Sequence, residues 1–451
     1  MAISVVLAGC STETPYNAPL FAFGGSYSST RASAPVLVAN SAWWVGFKDP
    51  VLDKLIARAL QSNLDLAAAR ERIVEAQANL GQVSPNLSLS PSVSATREKA
   101  VGGTPFTRGE ASLGLSWLLD PYGARRQQIK AAGARVEVAD AEVDAARLLI
   151  LFNASNAYVD LRYFQRVLAI RHQEIRARSK TLTLVRTLLD QNSATRLDVV
   201  RAEARLSEAQ AAVPTAEVAV RAQQYLIAGL LGVPPGGLDI GLGDSGKQPR
   251  PGMSVDVGIP ADLLRNRPDI RIAERLYYAS VAEVGVAKAA LYPTLSLTGS
   301  ISLNSIRGNE GSSYVFGPSL TLPSLPTDAR RAAVRARESR ARQALIAWKA
   351  AVTDALGEVE TAIVRYSANA AAVGSSQKTV GLYREAVDLT RDLITRDGAT
   401  IRDLLDAEES VVDADLVLAE NRRQLARSFI ELNVGLGSGH AVGNETTEPV
   451  K

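Results

Sequence analysis

Four short stretches of the chain alternate residue by residue between apolar and small hydroxyl side chains, whereas most of the remainder repeats at three and four residues. From Pro85 to Thr96, Leu87, Leu89, Val93 and Ala95 share one side and Ser88, Ser90, Ser92 and Ser94 the other. A period of two is that of a strand with unlike faces. Gly109 to Leu119 repeats it, with Ala111, Leu113, Leu115 and Trp117 opposed to Ser112, Gly114 and Ser116. Leu295, Leu297, Ile301 and Leu303 oppose Ser296, Thr298, Ser300 and Ser302, and Tyr314, Phe316, Leu320 and Leu322 form a fourth apolar row. Strands are expected at about 85–97, 109–119, 293–304 and 314–322, joined by exposed polar loops from Glu98 to Arg108 and from Asn304 to Ser313. Such strands resemble transmembrane β-strands around a wet lumen. A soluble sheet covered on one side has the same alternation.

From Ala329 to about Ile394 there is no proline, and Leu345, Trp348, Val352, Leu356, Val359 and Ile363 keep a coiled-coil rhythm. A helix of that length, at about 1.5 Å per residue, approaches roughly 100 Å and exceeds ordinary globular helices. The first half has its equivalent from Ala124 to about Leu189. Each long helix ends at a polar turn, Asp190 to Thr195 or Arg396 to Thr400, and a helix returns from it. Leu418, Leu425, Phe429, Leu432 and Leu436 mark the second return, while Pro214 predicts a kink in the first.

These elements occur twice. Asn63 to Leu66 corresponds to Arg267 to Ile270 at an offset of 204, and Pro85 to Ser90 matches Pro293 to Thr298 at 208. Pro121, Arg125 and Arg126 pair with Pro326, Arg330 and Arg331 at 205, as do Asp198, Ala202, Glu203 and Ala209 with Asp403, Ala407, Glu408 and Ala414. A spacing this long is a duplicated half and not a solenoid repeat. The chain divides into 1–10, an extended segment 11–50, a first repeat 51–232 with its helical hairpin at about 124–232, a linker 233–260, a second repeat 261–437 with its hairpin at about 329–436, and a tail 438–451. Four strands cannot close a barrel, and an open edge in lipid leaves backbone groups unsatisfied. Closure therefore calls for a homo-oligomer with a multiple of four strands.

Composition narrows the chemistry. No apolar run reaches the roughly 18 residues of a bilayer-spanning helix. One Cys, two His and two Met leave few soft metal ligands, so zinc and copper sites are not expected, and no cofactor or catalytic constellation emerges. The formal charge of +3, from 50 basic and 47 acidic residues, predicts no nucleic-acid partner. Six arginines between Arg330 and Arg342 are interspersed with Glu338 and read as a solvated helix start. Gly241 to Gln248, GLGDSGKQ, mimics a phosphate-binding loop, but Pro249 and Pro251 prevent the helix that such a loop needs. It reads as the linker between the halves.

At the amino terminus, Leu7, Ala8, Gly9 and Cys10 resemble a bacterial lipobox. The resemblance implies cleavage before Cys10 and acylation there, which at about 0.8 kcal/mol per buried methylene anchors a chain to a membrane. Ser11 follows where an inner-membrane retention signal usually has Asp, which favours the outer membrane. The ordinary alternative is a buried free thiol.

As a whole the chain resembles the TolC-like outer-membrane efflux factors, in particular their lipid-anchored NodT and OprM group. The markers are WWVGFKDPV at Trp43 to Val51, RPDIRI at Arg267 to Ile272, VAKAALYPTLSLT at Val286 to Thr298, FGPSLTL at Phe316 to Leu322 and RDLLDAE at Arg402 to Glu408. The family implies a mainly α protein with a membrane β-barrel part: a homotrimer, a twelve-stranded outer-membrane barrel and a periplasmic α-helical tunnel. It further implies a periplasmic adaptor and an inner-membrane pump, usually of the resistance-nodulation-division class, with efflux of drugs or small molecules as the function. A conduit for type I protein secretion and a lipid-anchored periplasmic coiled-coil scaffold are the alternatives. Pro323 to Asp328, PSLPTD, stands where relatives more often have a glycine-rich turn.

By the same resemblance Asp403 and Asp406 match the family's acidic constriction, with six carboxylates around a threefold axis raising some of their pKa values by repulsion. Asp198 is their equivalent in the first half, and Arg201 stands opposite Asp406 as a candidate inter-hairpin partner. The small turn residues Asn192, Ser193, Ala194, Thr195, Gly398, Ala399 and Thr400 are the expected adaptor contacts. Solvated helix faces and ordinary turn chemistry are the plainer readings of these residues.

Overall fold

The computed structural model describes residues 14–24, 26–28, 42–83, 85–99, 101–238, 240–243, 246–252, 257–306, 309–394, 396 and 398–439; Cys10 lies outside them. The chain forms two compact units, one of residues 1–21, 70–142 and 269–351, the other of 22–69, 143–268 and 352–451.

The elements follow the duplication. The first half contains α1 (Pro50–Ser62), α2 (Leu64–Val83), β1 (Leu87–Glu98), β2 (Phe106–Leu119), α3 (Ala124–Asp190), α4 (Arg196–Ala211) and α5 (Val213–Leu230). The second contains α6 (Leu263–Asn266), α7 (Pro268–Ala289), β3 (Thr294–Ile306), β4 (Asn309–Thr321), α8 (Asp328–Ile394) and α9 (Ile401–Gly435). α3 and α8 each run 67 residues. Pro214, in the first turn of α5, lacks the N–H that would continue α4, and the helix breaks at Ala212. Its duplicate position, Ala419, continues α9 without a break.

In the first unit the strands form one antiparallel sheet in the order β1-β2-β3-β4. Directly paired residues share a face, so the register sorts the side chains into rows. Leu87, Trp117, Leu297 and Pro318 form one apolar row, and Pro91, Leu113, Ile301 and Tyr314 another. On the opposite face Ser92, Ser112, Ser302 and Ser313 cross all four strands, with Oγ to Oγ distances of 2.7 Å for the first pair and 2.8 Å for the last. Among the described residues nothing covers the apolar face: Val93 is 85% and Tyr314 79% exposed. These residues leave both an apolar sheet face and the outer edges of β1 and β4 open.

The expected loop between β3 and β4 is shorter than the sequence indicated. Asn304 pairs with Gly311, Ser305 with Glu310 and Ile306 with Asn309, so the ladder runs through a segment without alternating side chains. Backbone hydrogen bonding needs no apolar partner, and Gly311, Ser312 and Ser313 hid the strand from a hydrophobicity pattern. β2 likewise begins at Phe106, which pairs with Glu98.

Gly299 sits opposite Phe316, whose ring lies over it; a Cβ there would stand 2.4 Å from ring carbons. Gly299→Ala is expected to push the ring aside at a cost of about 1–3 kcal/mol, seen as a lower unfolding midpoint in β-sheet circular dichroism.

Tyr122 and Tyr292 stack at 4.6 Å where the chain leaves β2 and enters β3. Of the arginines at the start of α8, Arg337 joins Arg135 on Glu283, and Arg330 donates to the Ala290 carbonyl at 2.7 Å. These two are tied into the unit, whereas Arg331, Arg335, Arg340 and Arg342 are exposed, as a solvated helix start would be. The PSLPTD bend after β4 contains a cis Leu325–Pro326 bond.

The second unit is helical, with a core of Trp43, Phe47, Leu52, Leu55, Tyr158, Leu161 and Phe429 among others. Asp49 accepts from the Val51 and Leu52 amides and caps α1; its other oxygen accepts from the Tyr158 hydroxyl at 2.6 Å. Among the described residues no helix is long and apolar enough to cross a membrane.

Candidate functional site at the hairpin tips

Each long helix needs a device to reverse the chain, because its last carbonyls and the first amides of the return helix have no intrahelical partner. After α3, Asn192 adopts a left-handed conformation at φ 60°, and the Ser193 amide donates to the Leu188 carbonyl at 2.8 Å. After α8, the Gly398 amide donates to the Leu393 carbonyl at 2.9 Å. Thr195 then caps α4 and Thr400 caps α9, each in a reciprocal capping box with the aspartate three residues on. The Asp198 carboxylate accepts from the Thr195 amide at 3.0 Å, and that of Asp403 accepts from the Thr400 amide at 2.8 Å. The described residues of the two tips thus repeat the same hydrogen bonds at a spacing of 205 residues.

Asn192, Ser193, Thr195, Gly398 and Thr400 are exposed, whereas Ala194 and Ala399 are half-buried. Beneath them Leu182, Val185, Val199, Ala202, Ile401 and Leu405 form a small core joining α3, α4 and α9.

The hydrogen bonds from Thr195 hold the Asp198 carboxyl below the usual carboxylate range, and those from Thr400 do the same for Asp403. Within one chain the neighbours of Asp403 are donors, whereas the repulsion expected among six carboxylates belongs to a trimer. A depressed folded pKa stabilises the tip fully above the ordinary value of 3.8, and the contribution disappears as the pH falls through the lower folded value. Thr195→Ala is expected to cost about 1 kcal/mol at neutral pH. Measured by thermal unfolding, that difference should shrink below pH 4 as Asp198 is protonated.

Asp403 and Asp406 both lie on the exposed side of α9. Asp406 is 3.7 Å from Arg402 of its own helix, and Arg201 is 3.8 Å from Asp198 of its own. Within one chain the inter-hairpin tie expected of Arg201 is made by other residues, because Arg201 lies one turn from Asp198 on an exposed face. Arg205 reaches Glu409 at 2.7 Å. Deeper in, Glu408 accepts from Thr181 at 2.8 Å and from Arg391 at 2.9 Å, with the Arg178 guanidinium at 3.5 Å. Arg178 also donates to the Leu405 carbonyl at 3.1 Å. Two turns further along the same cleft, Arg384 places a nitrogen 2.8 Å from both oxygens of Asp415.

Arg178 and Glu408 were not singled out from sequence. They lie 230 residues apart, and the one visible signal was that Glu203 and Glu408 match in the self-alignment.

The described part of the glycine-rich linker is held by side chains of α3. Leu242 is buried, and its carbonyl accepts from Gln165 at 3.0 Å, with Arg162 also donating to it. A Cβ on Gly246 would stand 2.1 Å from the Arg162 guanidinium, so this glycine admits the arginine.

Comparison with known proteins bears on both halves. The profile of the outer membrane efflux protein family matches residues 55–233 and again 259–438. Nodulation protein T of Rhizobium leguminosarum bv. trifolii is 33% identical over 97% of this chain and 96% of its own length. The pyoverdine export outer membrane protein OpmQ of Pseudomonas putida is 26% identical, covering 98% of this chain and 97% of its own. Among solved structures, the outer-membrane channel OprN superposes with a TM-score of 0.86 at 29% identity, over 95% of this chain and 99% of the other. The open-state MtrE channel of Neisseria gonorrhoeae, at 24% identity and a TM-score of 0.85 over 95% of this chain and 98% of its own, shares the fold.

Proposed function

Because the chain belongs to the outer membrane efflux protein family, and is an outer-membrane efflux channel with the TolC-like fold, we propose that it acts as a homotrimer joining a periplasmic adaptor and a pump of the resistance-nodulation-division class to the exterior. The observation that carries the reading is the open sheet. Three copies of a four-stranded sheet close a twelve-stranded barrel, which pairs the free edges of β1 and β4 and turns the apolar rows towards lipid and the serine rows towards water. In that assembly α3, α4, α8 and α9 continue as a tunnel, and the tips meet the adaptor through Asn192 to Thr195 and Gly398 to Thr400.

Asp403 and Asp406 line the aperture in this reading. Six such carboxylates favour cations, and the Thr400 hydrogen bonds that keep Asp403 ionised support that role. Relatives named for pyoverdine export and cation efflux favour small solutes over polypeptides as cargo. Which solute passes is set largely by the pump.

Lipid anchoring at Cys10 is supported by the path of the chain just after it. Thr14 accepts from Lys288 Nζ at 3.4 Å, and Tyr16 donates to Glu274 at 3.1 Å. Lys288 lies six residues before β3, so Thr14 sits close to the sheet's helical end; four residues span about 14 Å at most. That distance allows an acyl chain on Cys10 to meet the bilayer in this reading.

The reading is tested by metabolic labelling with a radioactive fatty acid and by heat-modifiable migration of outer-membrane fractions. Wild-type chain is expected to carry label and to run as a trimer unless boiled, and Cys10→Ser is expected to lose the label alone. Unlabelled wild-type protein would contradict the anchor, and a heat-insensitive monomer would contradict the trimer.

A further inference from the structure

The duplication is visible in contacts as well as in sequence. Arg186 reaches Glu203 at 2.8 Å, and 205 residues later Arg391 reaches Glu408 at 2.9 Å. Asn63 donates to the Leu230 carbonyl at 2.8 Å, and its duplicate Arg267 donates to that of Gly435 at 3.0 Å, so an equivalent contact survives a change of side chain.

The repetition stops at the face that Glu408 turns towards α3. Glu408 and Leu405 are 5% and 4% exposed beneath α3, which contributes Arg178 and Thr181 to them. Their duplicates on α4 stand open: Val200 is 46% exposed, and the Glu203 side chain 38%. The duplicates of Arg178 and Thr181 are Tyr383 and Ala386 on α8, and Tyr383 is 42% exposed. One chain thus contains a completed seam of α3 on α9 and both unpaired sides of a second seam, α4 and α8.

We propose that the occupant of the open α4 face is a second copy of this chain, whose α8 lays the Tyr383 ring on Val200 and donates the Tyr383 hydroxyl to Glu203. A closed ring of like halves requires each seam within a chain to alternate with one between chains. The chemistry fits both ends. Glu203 already holds one guanidinium, Arg186, which keeps its carboxyl below the usual range. A phenol then supplies a further donor without a second positive charge, and its ring covers the exposed valine.

The inference rests on the trimeric reading, and the experiment separates the two. Full-length chain carrying Glu203→Cys with Tyr383→Cys is treated in outer membranes with a short bismaleimide and run after boiling. Most of the chain is expected to shift from the mass of one copy to those of two and three, while either single variant stays at one. Val200→Cys with Ala386→Cys provides the same readout if the first pair does not assemble. A heat-modifiable trimer that gives only single-copy products with both pairs overturns this seam and leaves the trimer standing. Wild-type chain that forms no trimer overturns both.

Discussion

Glu408→Ala is expected to lower the stability of the helical unit by about 3 kcal/mol, because it removes the closer of the two carboxylates at the buried Arg178 guanidinium and leaves only Glu174 at 3.9 Å. Arg178 is 3% exposed and Glu408 5%, so water cannot replace the lost partner without opening the packing of α3 on α9. Thr181 and Arg391 lose their acceptor in the same step. Glu408→Gln keeps the acceptor oxygen for Thr181 but not the charge, and should fall between the two. By contrast, Glu409→Ala breaks an ion pair whose members are 36% and 41% exposed, worth no more than about 1 kcal/mol. Thermal unfolding of the three variants checks the order; equal effects for Glu408→Ala and Glu409→Ala would show that the buried tie does not hold the hairpins together.

The second large effect is expected at the aperture. Asp403→Ala with Asp406→Ala removes six carboxylates from a trimer, and should abolish block by multivalent cations and change single-channel conductance. The two residues are not equivalent. Asp403 completes the α9 capping box, so its replacement also loosens the helix start, whereas the exposed Asp406 carboxylate stands 3.7 Å from Arg402 and takes no part in the cap. Asp406→Ala alone therefore isolates the electrostatic effect, and is expected to weaken block while leaving the unfolding midpoint within about 0.5 kcal/mol of wild type. Block and conductance unchanged in the double variant would remove these aspartates from the conduction path.

What was legible in the sequence follows from what has a period. Leu295, Leu297 and Ile301 against Ser296 and Ser300 announce a strand with unlike faces, and the seam through Trp348, Val352 and Val359 announces a long helix; those three residues are indeed buried. Asn309 to Ser313 was illegible as strand because Gly311 and two serines carry no alternation, although the backbone ladder continues through them. The tip aspartates were found, but their local work was not. Thr195-x-x-Asp198 and Thr400-x-x-Asp403 are nonetheless capping signatures that sequence alone displays. Arg178 on Glu408 belongs to a third kind, a contact across 230 residues that no local rule can pair. The duplication offers partial access to it, since Arg186 and Glu203 repeat half of that arrangement in the other hairpin.

Ion-current recording decides whether three copies of this chain form one gated conduit. Purified full-length trimer added to a planar lipid bilayer is predicted to give discrete, small, cation-selective channels, blocked by multivalent cations from the side of the hairpin tips alone. Trimers that insert and conduct no ions, or that pass anions and cations alike without one-sided block, would contradict the account.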